Sequence, residues 1–149
     1  MKYRTESELR NFDFSESVIS EIKYMNGIFK LLLDNVTILP ECSCNRDIRQ
    51  MRANQFLLTI VNPVIVKFFE ESYKRYDANG VLLEEVDEKI IKVENYGELL
   101  KSFADGEVFS IKKEGETYIF LVDSEQNCYE IDVKGTDDIE EWDRFLNKN

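Results

Sequence analysis

The chain has 149 residues, no histidine, and 30 Asp and Glu against 19 Lys and Arg, for a formal net charge of −11. Lacking histidine, it lacks the side chain most used for proton transfer near neutral pH and for holding zinc. The acidic excess argues against nucleic acid, whose binding rests on cations that neutralise phosphates, and a hydrophobic share of 43% is that of a globular domain with a real core.

The opening Met1-Lys2-Tyr3-Arg4-Thr5-Glu6 carries both signs of charge and no apolar h-region, so no signal peptide is expected and a cytoplasmic protein is. Val18–Met25 and Ile28–Leu33 flank the pair Asn26-Gly27, which predicts a β-hairpin. A polar loop, Pro40 to Gln50, precedes a buried-looking strand at Phe56–Val61 that Asn62-Pro63 closes. The longest apolar stretch, Phe56 to Phe69, is interrupted by Asn62, Pro63 and Lys67 and is too short to span a bilayer, so no membrane partner is expected. Val64 to Tyr76 reads as one further strand, with a bulge or twist at Phe68-Phe69, and Asp77-Ala78-Asn79-Gly80 turns into a short strand over Val81–Val86.

The period then changes. Tyr96, Leu99, Leu100 and Phe103 recur at i, i+3, i+4 and i+7, which predicts a helix; Asn95 and Glu98 have the spacing of a capping box, and Asp105-Gly106 ends the element. Strands follow at Glu107–Lys113, Thr117–Asp123 and Cys128–Val133, the last with Tyr129, Ile131 and Val133 on one face. Ile139, Trp142, Phe145 and Leu146 then suggest an amphipathic helix from Asp137 to Asn147, with Thr136 as its cap and Asp137 and Asp138 at the positive end of its dipole. No repeat or linker divides residues 1–149. The fold class expected is α+β: about seven strands in hairpins, forming a twisted antiparallel sheet or half-open barrel, with a middle helix and a C-terminal helix.

Chemistry-bearing motifs are scarce. No Gly-x-Ser-x-Gly elbow and no Gly-rich phosphate loop occur, so neither a catalytic residue nor a cofactor is assigned. Cys42 and Cys44 stand one residue apart, closer than zinc ligands usually do, and with Cys128 they read as reduced thiols, so no metal site is assigned either. Glu21-Ile22-Lys23 and Asp132-Val133-Lys134 imitate the acid-x-Lys strand of magnesium nucleases, a spacing that any charged strand produces. Arg46, Arg49 and Arg52 form the one basic cluster, expected to pair with the protein's own acids.

Two acidic clusters remain as candidate partner-binding surfaces: Glu84, Glu85, Asp87 and Glu88 after the second Asn-Gly turn, and Asp137, Asp138, Glu140, Glu141 and Asp143 on the closing element. Such clusters are first of all solvated faces. Their functional reading is a landing surface whose charge speeds the approach of a basic partner. Trp142, the single tryptophan, reads first as core.

Phe12-Asp13-Phe14-Ser15-Glu16-Ser17-Val18-Ile19 running into the hairpin, Tyr76-Asp77-Ala78-Asn79-Gly80, and Glu141-Trp142-Asp143-Arg144-Phe145-Leu146 resemble stretches of small acidic immunity proteins of bacterial polymorphic toxin systems. That resemblance implies a non-catalytic protein that binds a cognate toxin domain and masks its active site. The residues also leave open a small-ligand-binding or regulatory domain and, behind it, a metal-dependent carboxylate hydrolase.

Overall fold

A computed structural model describes residues 1–25 and 27–148. Its strands, in chain order, are β1 (Tyr3–Glu6), β2 (Phe12–Asp13), β3 (Val18–Met25), β4 (Ile28–Asp34), β5 (Val36–Ile38), β6 (Met51–Ala53), β7 (Phe56–Val61), β8 (Val64–Glu70), β9 (Tyr73–Tyr76), β10 (Leu82–Val86) and β11 (Lys89–Ile90). One helix, α1 (Tyr96–Ser102), precedes β12 (Glu107–Glu114), β13 (Thr117–Ser124), β14 (Asn127–Lys134), β15 (Asp137–Trp142) and β16 (Leu146–Asn147). Strand accounts for 56% of the chain and helix for 9%, so the α+β expectation is corrected to a mostly-β architecture.

The hairpins form where turn chemistry and alternation agree. β3 pairs with β4 from Val18↔Asp34 to Met25↔Ile28, and Gly27 at φ 72° supplies the left-handed turn position; Asn26 lies outside the described residues. β12, β13 and β14 follow as a meander, and β13 alternates half-buried Ile119 and Leu121 with buried Tyr118, Phe120 and Val122.

Ten strands, β1-β15-β7-β4-β3-β12-β13-β14-β8-β11, make one antiparallel sheet. It is nearly severed in the middle, because β3 and β12 share a single pair, Val18↔Glu107. The two halves fold over one another around the core. Phe29 of β4 meets Phe120 of β13 at 5.2 Å between ring centroids, and Tyr118 of β13 reaches Asp138 of β15. At Gly135, where the chain passes from β14 to β15, an added Cβ would collide with Ile60, so only glycine lets the crossing lie so close to β7. A smaller sheet, β16-β6-β5-β2, closes one side, and α1 covers Phe68, which contacts both Tyr96 and Phe103.

Four local expectations are corrected. The segment expected as a C-terminal helix, Asp137–Asn147, is β15 followed by a turn and β16: its apolar residues do not alternate, since Ile139 and Trp142 fall on opposite faces, but β7 and β1 supply ladders on both sides and turn Asp138, Glu140 and Trp142 inward. Thr136 caps nothing; its N–H donates to Val61 O at 2.9 Å. Asn95 makes no side-chain cap bond, because a 3-10 turn, Val93–Asn95, already leads into α1. Val64–Tyr76 is broken after Glu70, and the register irregularity faces Asp132/Val133, beside Val66 rather than at Phe68-Phe69.

Candidate functional site: an acidic cleft beneath a hairpin arm

After β8 the chain leaves the main sheet, forms β9 and β10, and returns as β11 onto β8 through Lys89↔Glu70 and Ile90↔Phe69. β9 and β10 pair only with each other. Their turn is held by Asp77 Oδ1, which accepts the N–H groups of Asn79 at 2.8 Å and Val81 at 2.9 Å. Tyr73, Tyr76, Val81, Leu82 and Leu83 are all exposed on this arm, Tyr76 by 53% and Leu83 by 57%. A two-stranded ribbon with no core beneath it is marginal by itself. Cross-strand pairs help to hold it: Arg75–Glu84 at 3.4 Å, Lys74–Glu85 at 3.7 Å, and the Tyr73 hydroxyl donating to Glu84 at 3.2 Å.

A cleft of about 370 Å³ opens where the arm meets the β13–β14 turn, and Glu70, Glu71, Glu84 and Glu125 line it against a single guanidinium, Arg75. The turn that presents Glu125 is unusual. Ser124↔Asn127 closes it, which leaves Glu125 at φ 50° and Gln126 at φ 70°, two successive non-glycine residues in left-handed backbone. Asn-Gly would fit those angles with less strain. Strain of this kind concentrates where a side chain must be presented.

Of the residues expected from sequence, Glu84 and Glu85 are on the arm and already ion-paired, Asp87 is exposed, and Glu88 pairs with Lys67 at 3.7 Å. The second cluster does not form one outward face. Asp138 and Glu140 are 1% and 0% exposed, so their assignment to a partner surface is corrected: both point into the core. Asp137 accepts from the Ser7 hydroxyl, Glu141 is half-buried on the outer face, and exposed Asp143 accepts the Lys2 N–H at 3.0 Å. Glu70, Glu71 and Glu125 were missed. They sit on two stretches of chain more than fifty residues apart, and only the exposed Val81-Leu82-Leu83 run, apolar without alternation, hinted at a strand lacking a buried face.

The inward carboxyls make a locked network. Asp138 accepts from the Tyr118 hydroxyl at 2.6 Å and from the Leu9 N–H at 3.1 Å. Glu140 Oε1 accepts from Thr5 Oγ1 at 2.8 Å, and its Oε2 faces no donor. Burial, and then a hydrogen bond to Asp138 that only a protonated Glu140 can donate, push the Glu140 carboxyl up to about 9. No substrate reaches a pair this deeply sealed, and its work is to fasten β1 and Leu9–Asn11 onto β15.

The thiols are also quiet. Burial pushes Cys42 up to about 11, and a hydrogen bond to the Asp123 carboxylate, with burial behind it, does the same to Cys128. Arg49 pairs with Asp47 at 3.1 Å, as the sequence suggested for the basic cluster, whereas Arg52 Nε is buried without an acceptor. Trp142 is fully buried, stacked on Tyr3 and Phe56.

No family model, curated protein or solved structure matches this chain. Among the described residues, no three or more Cys, Asp or Glu are grouped to hold a metal ion, and no helix is long and apolar enough to cross a membrane.

Proposed function

We propose that this protein is a non-catalytic recognition module that binds and neutralises a basic protein in the cytoplasm, most concretely an immunity protein for a cognate bacterial toxin domain. The observation that carries the reading is the arm with its cleft. Exposed Tyr73 lines the cleft with Glu70, Glu71, Glu84 and Glu125, and exposed Tyr76, Leu82 and Leu83 continue along the same arm, so apolar anchors and an excess of negative charge lie on one projecting element and at its foot. The net charge of −11 extends that field over the molecule. The resemblance to immunity proteins supplies the class of partner.

The test screens basic toxin domains for one that this chain captures, and association rates with it are read by surface resonance. Neutralising Glu70, Glu71 and Glu125 to Gln together slows association severalfold at low salt. At 1 M salt, where the Debye length is about 3 Å, the difference from the parent disappears. An unchanged, salt-independent rate removes the cleft from the interface. Metal-dependent turnover on nucleic acid, peptide or glycoside, abolished by one Asp or Glu substitution without loss of stability, overturns the non-catalytic reading.

A further inference from the structure

β14 turns Tyr129, Ile131 and Val133 into the core, and so it carries Glu130 and Asp132 two residues apart on its outer face. Both are half-buried, and Asp132 Oδ1 is sealed from water with no hydrogen-bond partner. The neighbouring strands supply little countercharge. β13 sets uncharged Leu121 and Ile119 opposite the two acids, and β8 sets Phe69 opposite Glu130 and Lys67 opposite Asp132. Along β14 itself, Cys128 is bonded to the Asp123 carboxylate and Lys134 is bridged to Glu116 at 3.8 Å. Lys112 of β12 stands beyond Ile119 in the row of Asp132, and Glu71 past the end of β8 adds a further negative charge. Lys67 is therefore the cation that faces the pair directly.

That cation is already engaged. Its Nζ is 3.7 Å from Glu88 and 4.3 Å from the centroid of Phe69, the ring opposite Glu130, so the carboxyls of Glu88, Glu130 and Asp132 surround one ammonium. Glu88 stands immediately before β11, through which the arm returns to the sheet. β11 is only two residues long. It is held by Lys89↔Glu70, by Ile90↔Phe69, and by the Ile91 N–H donating to Phe68 O at 2.9 Å. The Lys67–Glu88 pair pins the entry to this short contact.

We propose that Glu130 and Asp132 form a proton-operated latch on the returning leg of the arm. While the two acids share a proton they carry one charge, Lys67 stays on Glu88, and β11 stays docked. When the proton passes to solvent, the second charge on β14 draws Lys67 across Phe69 and Glu88 is released. The working range lies near neutrality. Burial, and then a hydrogen bond to Asp132, push the Glu130 carboxyl up to about 7, an upward shift that Lys67 only partly opposes. The other raised carboxyl, Glu140, stands at about 9 and is remote from this face. The latch is a modulator in size: an exposed ion pair such as Lys67–Glu88 changes a local opening equilibrium by roughly two- to fivefold.

The experiment follows the Glu130 side-chain carboxyl carbon and the exchange of the Ile91 amide by NMR on the full chain, between pH 6 and pH 8.5. The Glu130 carbon is expected to titrate near neutrality, well above the ordinary 4.5. The protection of Ile91, corrected for intrinsic exchange, is expected to fall roughly two- to fivefold across the same range. Glu130→Gln leaves the pair with one charge at every pH and keeps Ile91 at its pH 6 protection. Glu88→Gln removes the pin and gives the lower protection at both ends. A Glu130 carbon that titrates in the ordinary range overturns the proposal. So does an Ile91 step that is absent from the parent, or one that survives in either variant. These readouts involve no partner, so their failure leaves the arm's reading as a docking surface to its own test.

Discussion

At Glu140 the fold holds a proton that water would remove. Its carboxyl stands at about 9 against an ordinary 4.5, because burial and the neighbouring Asp138 penalise the charge. The folded chain thus binds this proton more tightly than the unfolded chain does. The stability it contributes is complete below the ordinary carboxyl range and is lost as pH rises from there to about 9. Unfolding free energies from urea titrations at pH 5, 7 and 9 should fall steadily, by on the order of a few kcal/mol in all. Glu140→Gln keeps the shape, lets an amide donate to Asp138 and accept from Thr5, and should flatten that slope; a slope identical to the parent's places the titration elsewhere. Trp142→Ala, at the centre of the cluster of Tyr3, Phe12, Phe56 and Phe145, should cost about 3–5 kcal/mol in the same assay.

The elements respond to different rules. α1 and the meander β12–β14 follow from local patterning, whereas the Glu125-Gln126 turn runs against it. Replacing the pair by Asn-Gly should stabilise the protein by roughly 1–2 kcal/mol, since two left-handed non-glycine residues are relieved. The same replacement should slow capture of the basic partner, because Glu125 leaves the cleft. A melting temperature that fails to rise would show the turn to be unstrained, and unchanged capture would show that Glu125 is not presented for binding. β15 illustrates the opposite case. Its apolar residues space as a helical stripe, and as a strand they put Ile139 and Trp142 on opposite faces, so the ladders to β1 and β7 override the local pattern.

For the molecule as a whole, the decisive pairings are remote in sequence. Tyr3 pairs with Trp142 and Glu6 with Ile139, so β1 can dock only after almost the whole chain has been ordered. Topologies dominated by such contacts fold in milliseconds to seconds. Pulsed hydrogen exchange during refolding should show β12, β13 and β14 protected before β1; simultaneous protection, or β1 first, would contradict that order.

The sequence by itself determined the parts governed by neighbours a few residues apart. The hairpin of β3 and β4, the meander with Tyr129, Ile131 and Val133 inward, the turn at Asp77–Gly80 and the middle helix over Tyr96–Ser102 all rest on turn residues and periodicity that are local properties of the chain. The tertiary structure alone decided which acids face water. In Asp138 and Glu140 nothing local distinguishes a buried carboxyl from a solvated one; Tyr118, Thr5 and Leu9 do so from 20, 135 and 129 residues away. It alone assembled Glu70, Glu71 and Glu125 around one cleft. Burial and strand partnership are properties of the whole packing, and no window of sequence contains them.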